Sequence, residues 1–457
     1  MYILRVVISF NIEHSIFRLA LLMKYGIHII DLCLDSLNLR SMNNIKGNKN
    51  FYLILILGML SAIGPFSIDM YLPAFPDIAK GLHTTVSQVM LSLSSFFIGI
   101  SAGQLLYGPL LERFGRKKPL YVGLVIYLLA SVGCAMAASV NALIWLRALQ
   151  ALGGCVGMVA ARAMVRDLFE VKENAKIFSL LMLVVAVSPI IAPTAGGYVT
   201  AMLGWRYVFV MLIGINLIIL AGIYFWLPES KKPDPNFSLK PAPIIKNFTG
   251  VIRHPQFYTY ALTAAISAAG LYAYIGGSPY VFMEIFHVSE KQYGWIFALI
   301  AMGLIGSSQI NSVLLKNYSS EQIIKVALAC QSITGALLLC LTFLGWSELF
   351  STIFLIFIFL CCQGFTFPNA SALSLASFGH NAGSASALLG AIQMSIGACT
   401  SALVSILQNH TAIPMAAVMA CCAIGAFSVF MLGRRIITTK CSVEAVEEED
   451  VEMVSTL

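Results

Sequence analysis

Residues 108–117 read Gly108-Pro109-Leu110-Leu111-Glu112-Arg113-Phe114-Gly115-Arg116-Lys117 and separate two apolar runs, at about 87 to 109 and 119 to 138. Each run is long enough to cross a hydrocarbon core as a helix, which takes about 20 residues. So short a connection returns the chain antiparallel to itself. Gly108 and Gly115 are expected to supply the close approach and the turn, and Arg113, Arg116, Lys117 and Lys118 to hold the loop at one membrane face.

Outward from this hairpin the same unit recurs. Further apolar runs lie at about 51 to 72, 141 to 165, 173 to 199, 206 to 227, 256 to 280, 292 to 314, 322 to 344, 348 to 372, 382 to 408 and 412 to 433, which makes twelve spans. The longest hydrophilic gap, 228–255 with six prolines, falls between the sixth and seventh and divides the chain six plus six. The expected layout is a terminal segment 1–50, a six-span half 51–227, a linker 228–255, a second half 256–435 and an acidic tail 436–457. Composition agrees: of 457 residues 59% are hydrophobic and 11% charged, with mean hydropathy +0.85. Ordinary soluble domains are about 25% charged, which excludes that class.

The alternation of gaps puts nineteen lysines and arginines on one side and three, Lys80, Arg206 and Lys291, on the other. By the positive-inside rule both termini then face the cytoplasm of a cell inner membrane. The net charge of +7 therefore reads as topology, with a lipid bilayer as partner and no nucleic acid. No G-x-x-x-x-G-K-[ST] phosphate loop occurs, so no nucleotide is expected. The eleven cysteines include no C-x-x-C pair and read as small packing residues, and none of the seven histidines falls at mid-span. No metal, no cofactor and no enzyme activity are expected, since neither a nucleophile–base pair nor a carboxylate cluster is in place. The run from Ser15 to Leu34, interrupted by Arg18, Lys24 and Asp31, does not cross cheaply. It reads as an interfacial helix or as sequence upstream of a start at or near Met42. The stretch Glu444 to Glu452 is expected to be solvated and disordered.

An offset of 203 residues lays Gly103 to Leu120 on Gly306 to Ile323 and puts Arg113 on Lys316, a sign of duplication. Residues 108–117 also resemble the loop signature G-x-L-x-D-R-x-G-R-K of the major facilitator superfamily, with Glu112 in place of Asp. Arg147-Ala148-Leu149-Gln150-Ala151-Leu152-Gly153, continuing to Arg162 and Arg166-Asp167, and Ala192-Pro193-Thr194-Ala195-Gly196-Gly197 resemble its drug:proton antiporter branch. Ile68-Asp69-Met70-Tyr71-Leu72-Pro73-Ala74, Ala273-Tyr274-Ile275-Gly276-Gly277-Ser278-Pro279 and Phe367-Pro368-Asn369-Ala370 resemble the bicyclomycin and chloramphenicol resistance subfamily. The resemblance spans about 50 to 435. It implies an all-α integral membrane protein with twelve transmembrane helices in two six-helix pseudo-repeats, working by alternating access. The implied activity is efflux of small amphipathic drugs in exchange for protons. The alternative on the same fold is export of a metabolite such as cysteine or another amino acid. The chain is taken as a monomer.

Charges inside a span are functional candidates by default. Asp69, about a turn before the outer end of the first span, and Arg147, about two turns inside the outer end of the fourth, lie at similar depth. They are expected to share a cavity, Arg147 holding the unprotonated carboxylate and a proton competing with substrate; the other reading is a permanent ion pair that fixes packing. Pro73 should loosen the helix after Asp69, and Arg162 reads as snorkelling to water. Glu112 is expected to face the amino-terminal end of the eleventh span near Asn381 to Ser384, whose helix dipole favours negative charge, and, as the resemblance implies, Glu112, Arg116 and Asp167 form a charge-linked latch, with Gly108, Arg113 and Gly115 in its loop. The alternative is a topology anchor alone. The resemblance further implies that Pro189, Pro193, Gly196 and Gly197 make a seam against leak; the alternative is a kinked packing helix. Tyr71, Gln150, Tyr272, Tyr274, Gln363 and Phe367 are candidates for lining a drug cavity.

Overall fold

The computed structural model describes residues 47–455 except 170, 236, 238, 240 and 379–381, and the early segment 1–46 lies outside the described residues. The chain forms two contact units, Met1–Leu53 and Ile54–Leu457. Of the first, only the opening turns of the first span are described; the remaining helices and the candidate site belong to the second.

The twelve expected spans are twelve long helices: Gly47–Asp69, Val86–Phe114, Lys117–Ala135, Val140–Leu168, Val171–Leu203, Arg206–Trp226, Pro255–Pro279, Glu290–Leu314, Ser320–Phe343, Leu349–Leu375, Ala382–Ile406 and Ile413–Ser455. Among the described residues eleven helices are long and apolar enough to cross a membrane. The seventh, Pro255–Pro279, is 25 residues long but carries so much Thr, Ser, Tyr and Gly that it falls short on apolarity alone. Its polar side chains are nonetheless inside: Thr259, Thr263, Ser267 and Ser278 are all buried. The fold is all-α, as the spacing of apolar runs implies.

Helix starts follow capping chemistry. Thr85 at the head of the second span accepts from the Gln88 N–H at 3.3 Å, and Ser289 at the head of the eighth accepts from Gln292 N–H at 3.4 Å; each satisfies an otherwise orphaned donor. Two residues before each cap stands a histidine in the left-handed region, His83 at φ 50° and His287 at φ 54°. The same His–cap–Gln pattern at corresponding ends of two spans is a structural trace of duplication.

Three elements depart from the sequence reading. The first span stops at Asp69 and continues as a 3-10 turn Leu72–Ala74 and a short helix Phe75–Gly81, because Pro73 and Pro76 cannot donate. The linker contains a helix, Pro241–Ile252, whose Val251 packs with Phe257, Ala261 and Leu388. The tail expected to be disordered belongs to the last helix, Ile413–Ser455; extending an existing helix through good formers such as Glu and Ala gains a hydrogen bond per residue without a new nucleus.

Among the described residues, packing crosses the boundary between the expected halves most extensively along two pairs of spans. Along the second and eleventh spans, Ser94 donates to Ser401 at 3.0 Å, Ser101 bonds Ser395 at 2.7 Å, and Ser405 donates to the Ser87 carbonyl. The fifth and eighth spans meet at the ends away from the basic loops, where a Cβ on Gly294 would stand 2.9 Å from the Pro193 carbonyl oxygen.

Candidate functional site

The first span brings two polar groups into the bundle just before it breaks. Ser67 bonds Tyr127 of the third span at 2.7 Å, and its carbonyl accepts from Arg147 Nη2 at 3.0 Å. Arg147 is fully buried. Its guanidinium lies 4.4 Å from the Tyr71 ring centroid and 4.1 Å from that of Phe96, and Nη1 donates to Gln150 Oε1 at 2.6 Å. Gln150 in turn donates to Ser131 at 2.7 Å, and Tyr71 bonds Ser92 at 2.7 Å. Two aromatic faces and two oxygens thus hold the cation without a carboxylate.

Asp69 is elsewhere. It is 5% exposed, and among the described residues it has neither ion pair nor hydrogen bond. Residues two apart on a helix point to nearly opposite sides. With Ser67 turned to the third and fourth spans, Asp69 turns to the seventh and eighth, within electrostatic reach of Tyr274 and Tyr293. The expected Asp69–Arg147 pair is therefore corrected: equal depth was right for meeting, but azimuth keeps them apart. Around Asp69 the seam is tight. A Cβ on Gly196 would collide with the Met70 carbonyl oxygen, and one on Gly197 would stand 2.5 Å from that of Glu290. The fifth-span helix runs unbroken through Pro189 and Pro193.

The proposed cavity residues divide. Tyr71 and Gln150 belong to the Arg147 cage, and Gln363 is sealed with Ser267 and Gln331 in a buried triad of the seventh, ninth and tenth spans. These three do not line an open cavity, since polar groups at such depth satisfy one another first. Tyr272 is half-buried and packs on Phe97 at 4.9 Å. Tyr274 stacks on Phe297 at 5.6 Å and its hydroxyl has no hydrogen-bond partner among the described residues. Phe367 is 40% exposed.

At the basic end, Arg116 is buried and reaches both ways. Its Nε meets Asp167 Oδ2 at 2.8 Å and its Nη1 meets Glu112 Oε1 at 3.0 Å. Burial works against the Arg116 charge, but the hydrogen bonds and ion pairs from Asp167 and Glu112 outweigh it and hold its pKa above the usual arginine value. The other Glu112 oxygen takes Lys231. Ser230 donates to Asp167 at 3.0 Å, the Glu229 carboxylate accepts the Arg116 N–H at 2.7 Å and the Lys117 N–H at 3.2 Å, and Arg113 donates to the Phe237 carbonyl at 3.2 Å. Glu229, Ser230 and Lys231 escaped the sequence reading because no motif marks them; their place directly after the sixth span, beside a basic loop, was the available signal. Gly115 adopts φ 81° with the Lys231 carbonyl close by, whereas Gly108 has open space beside it. The close approach assigned to Gly108 is thus withdrawn: it sits inside the second helix, and the turn belongs to Gly115 alone. Of the expected Glu112 partners Asn381 to Ser384, Asn381 lies outside the described residues, and both Glu112 oxygens are already engaged.

A family model, "Major Facilitator Superfamily", matches residues 57–402. The chain belongs to this superfamily. A transporter of the major facilitator type from Bacillus subtilis (strain 168), itself uncharacterized, is 34% identical over 86% of this chain and 98% of its own length. A bicyclomycin resistance protein homolog from Haemophilus influenzae is 31% identical over 82% of this chain and 94% of its own, and the chloramphenicol resistance protein of Pseudomonas aeruginosa 28% identical over 79% and 86%. Among solved structures, an inward-facing, occupied bacterial homolog of the lysosomal transporter Spinster matches with TM-score 0.65 at 14% identity, covering 85% of this chain and 98% of that one. This major facilitator chain is thus a multi-pass membrane transporter whose relatives include antibiotic resistance proteins.

Proposed function

We propose that this transporter exports small amphipathic, drug-like molecules from the cytoplasm in exchange for protons, by alternating access, with Asp69 as the group that carries the proton. The observation that supports this reading is a buried carboxylate with no counter-ion among the described residues, placed where two halves of the bundle close on one another. Taking an unpaired carboxylate out of water costs several kcal/mol, so closing the outer seam on Asp69 carries in a proton taken from the outer water, and opening of the bundle at its basic end returns the group to water on the cytoplasmic side, where the proton leaves. The distribution of basic residues among the loops supports a cytoplasmic side for both ends of the chain and an outer side for the seam. Each proton moving inward releases about 2.3 kcal/mol per 100 mV, more than the roughly 1.4 kcal/mol that a tenfold substrate gradient requires. Arg147 supports the first span from behind, and the cluster of Glu112, Arg116, Asp167, Glu229 and Lys231 ties the start of the linker to the second-to-third loop.

The test is uptake by proteoliposomes with an acidic interior, using chloramphenicol, bicyclomycin and cysteine side by side in the wild type and in Asp69→Asn. Accumulation that collapses with the pH gradient and is absent from the variant is the expected result. Accumulation of cysteine alone would make the chain a metabolite exporter, and gradient-driven uptake that survives Asp69→Asn would remove Asp69 from the mechanism.

A further inference from the structure

Two buried carboxamides at the boundary between the halves take no part in the clusters described above. Gln104 of the second span is 4% exposed and Gln393 of the eleventh 6%. Gln104 stands ten residues before the end of its helix at Phe114, and Gln393 eleven residues after the start of its own at Ala382. Both therefore lie about 15 Å in from the basic end, near the middle of a hydrocarbon core about 30 Å thick. On the eleventh helix Gly390, Gln393 and Gly397 follow at intervals of three and four and share one face. A Cβ on Gly390 would overlap the Gln104 amide, and one on Gly397 would overlap the Tyr272 ring of the seventh span. Tyr272 packs in turn on Phe97, seven residues before Gln104 and on the same side of the second helix. Side chains lean toward the start of their helix, which tilts Gln393 back over the turn where the Gln104 amide lies. Two amides beside two rings are thus shared between the halves.

Neither amide is satisfied. Gln393 Nε2 is sealed from solvent without an acceptor, and Gln104 makes no hydrogen bond with any described residue. The buried glutamines inside a single half behave otherwise: Gln150 bonds Ser131 and Arg147, and Gln331 bonds Gln363. Leaving a buried amide unpaired costs most of its desolvation. Two such groups at a boundary that opens during transport point to a partner that comes and goes. A carboxamide holds an acceptor and two donors in one plane, which suits the N–H and C=O of another amide. Being uncharged, it does not repay the dehydration of a carboxylate or an ammonium group.

We propose that Gln104 and Gln393 form a subsite between the halves that takes the uncharged amide of an amphipathic substrate, with Tyr272 and Phe97 beside its apolar body. This rests on the export reading and narrows its substrate class. Chloramphenicol and bicyclomycin both carry uncharged amides, whereas cysteine is a zwitterion without one, so the subsite favours drug over metabolite. Because one amide belongs to each half, the substrate is released as the halves part, at a point distinct from the proton-carrying Asp69.

The test reads binding without a gradient, so it stands or falls apart from transport and proton coupling. Equilibrium dialysis on the full chain, purified in an uncharged detergent, compares chloramphenicol with the analogue in which an ester oxygen replaces its amide N–H. The wild type should prefer the amide by about tenfold, the size of one hydrogen bond made in a buried site. Methionine keeps the length of glutamine without its hydrogen-bonding groups, so Gln393→Met and Gln104→Met should each bring the preference close to one while leaving the affinity for the ester as it was. A merely structural role would weaken both compounds alike, and that result overturns the proposal. So does equal binding of the two by the wild type, absence of chloramphenicol binding, or an undiminished preference in either variant. If Gln393→Met fails to elute as a single species, Gln393→Asn decides in the same assay: its amide is drawn back by one methylene, and a reduced preference is expected. A retained preference for the amide in a chain that fails the uptake test would keep the subsite and remove the export reading.

Discussion

Arg147 shows how a charge is kept inside a membrane bundle without an opposite charge. Its guanidinium is stacked between Tyr71 and Phe96, and its donors reach a side-chain amide and a backbone carbonyl. Lysine has the same charge but neither the flat face nor the fork. Arg147→Lys should therefore cost about 2 kcal/mol or more, the size of a desolvated cation–π contact, seen as a lowered melting temperature in detergent; a wild-type melting curve would mean that the stacking contributes nothing. At this scale the sequence was readable only in part. That Asp69 and Arg147 lie inside spans followed from hydropathy, and their common depth from counting residues. Their facing did not, because facing depends on which neighbour each side of the first helix meets, and single-chain periodicity does not say whether Ser67 or Asp69 turns to the fourth span. Gln331 and Ser267, the partners that seal Gln363, were invisible for the same reason.

The spans themselves were legible, because twenty apolar residues have one cheap conformation in lipid. Their ends were less so. The extension of the first span through Phe75–Gly81 and the run of the last helix into the acidic tail depend on the residues beyond a span, where hydropathy no longer speaks. The seam of the fifth span was legible as a motif, and its partner was not: Gly197 meets the backbone of Glu290 at the head of the eighth span. A side chain there cannot be placed without parting the two helices. Gly197→Val should thus favour an arrangement in which the fifth and eighth spans are parted at this end, since the backbone carbonyl opposite cannot rotate away as a side chain would. Spin labels at Lys80 in the short helix Phe75–Gly81 and at Asn409, both exposed at the end away from the basic loops, should move apart in the variant, in a background lacking the exposed cysteines; an unchanged distance distribution would show that the seam tolerates the bulk.

The two ends of the molecule are held by different chemistry. Toward the end away from the basic loops, halves meet through small residues and serine hydroxyls, contacts that are short, uncharged and easily remade along a sliding pair of helices. At the basic end the ionic cluster lies within the first six spans and the start of the linker: Glu112, Arg116, Asp167, Glu229 and Lys231. Such a cluster does not clamp one half to the other in this state. What it fixes is the course of the linker, which leaves the sixth span, crosses under the second-to-third loop and returns its backbone to Arg113 at Phe237. Glu229 is the keystone, because its carboxylate accepts two backbone N–H groups that a loop built on Gly115 leaves without other partners. Removing it in Glu229→Ala forfeits charge-assisted hydrogen bonds worth about 1.5 kcal/mol or more, which raises the population of the detached linker roughly tenfold. Cleavage that follows transient opening tracks that population. Trypsin should therefore cut between Lys231 and Lys232 about tenfold faster in the variant than in the wild type, with the spans intact; an equal rate would mean that the linker is held by its helix Pro241–Ile252 and the ionic cluster is only a topological anchor.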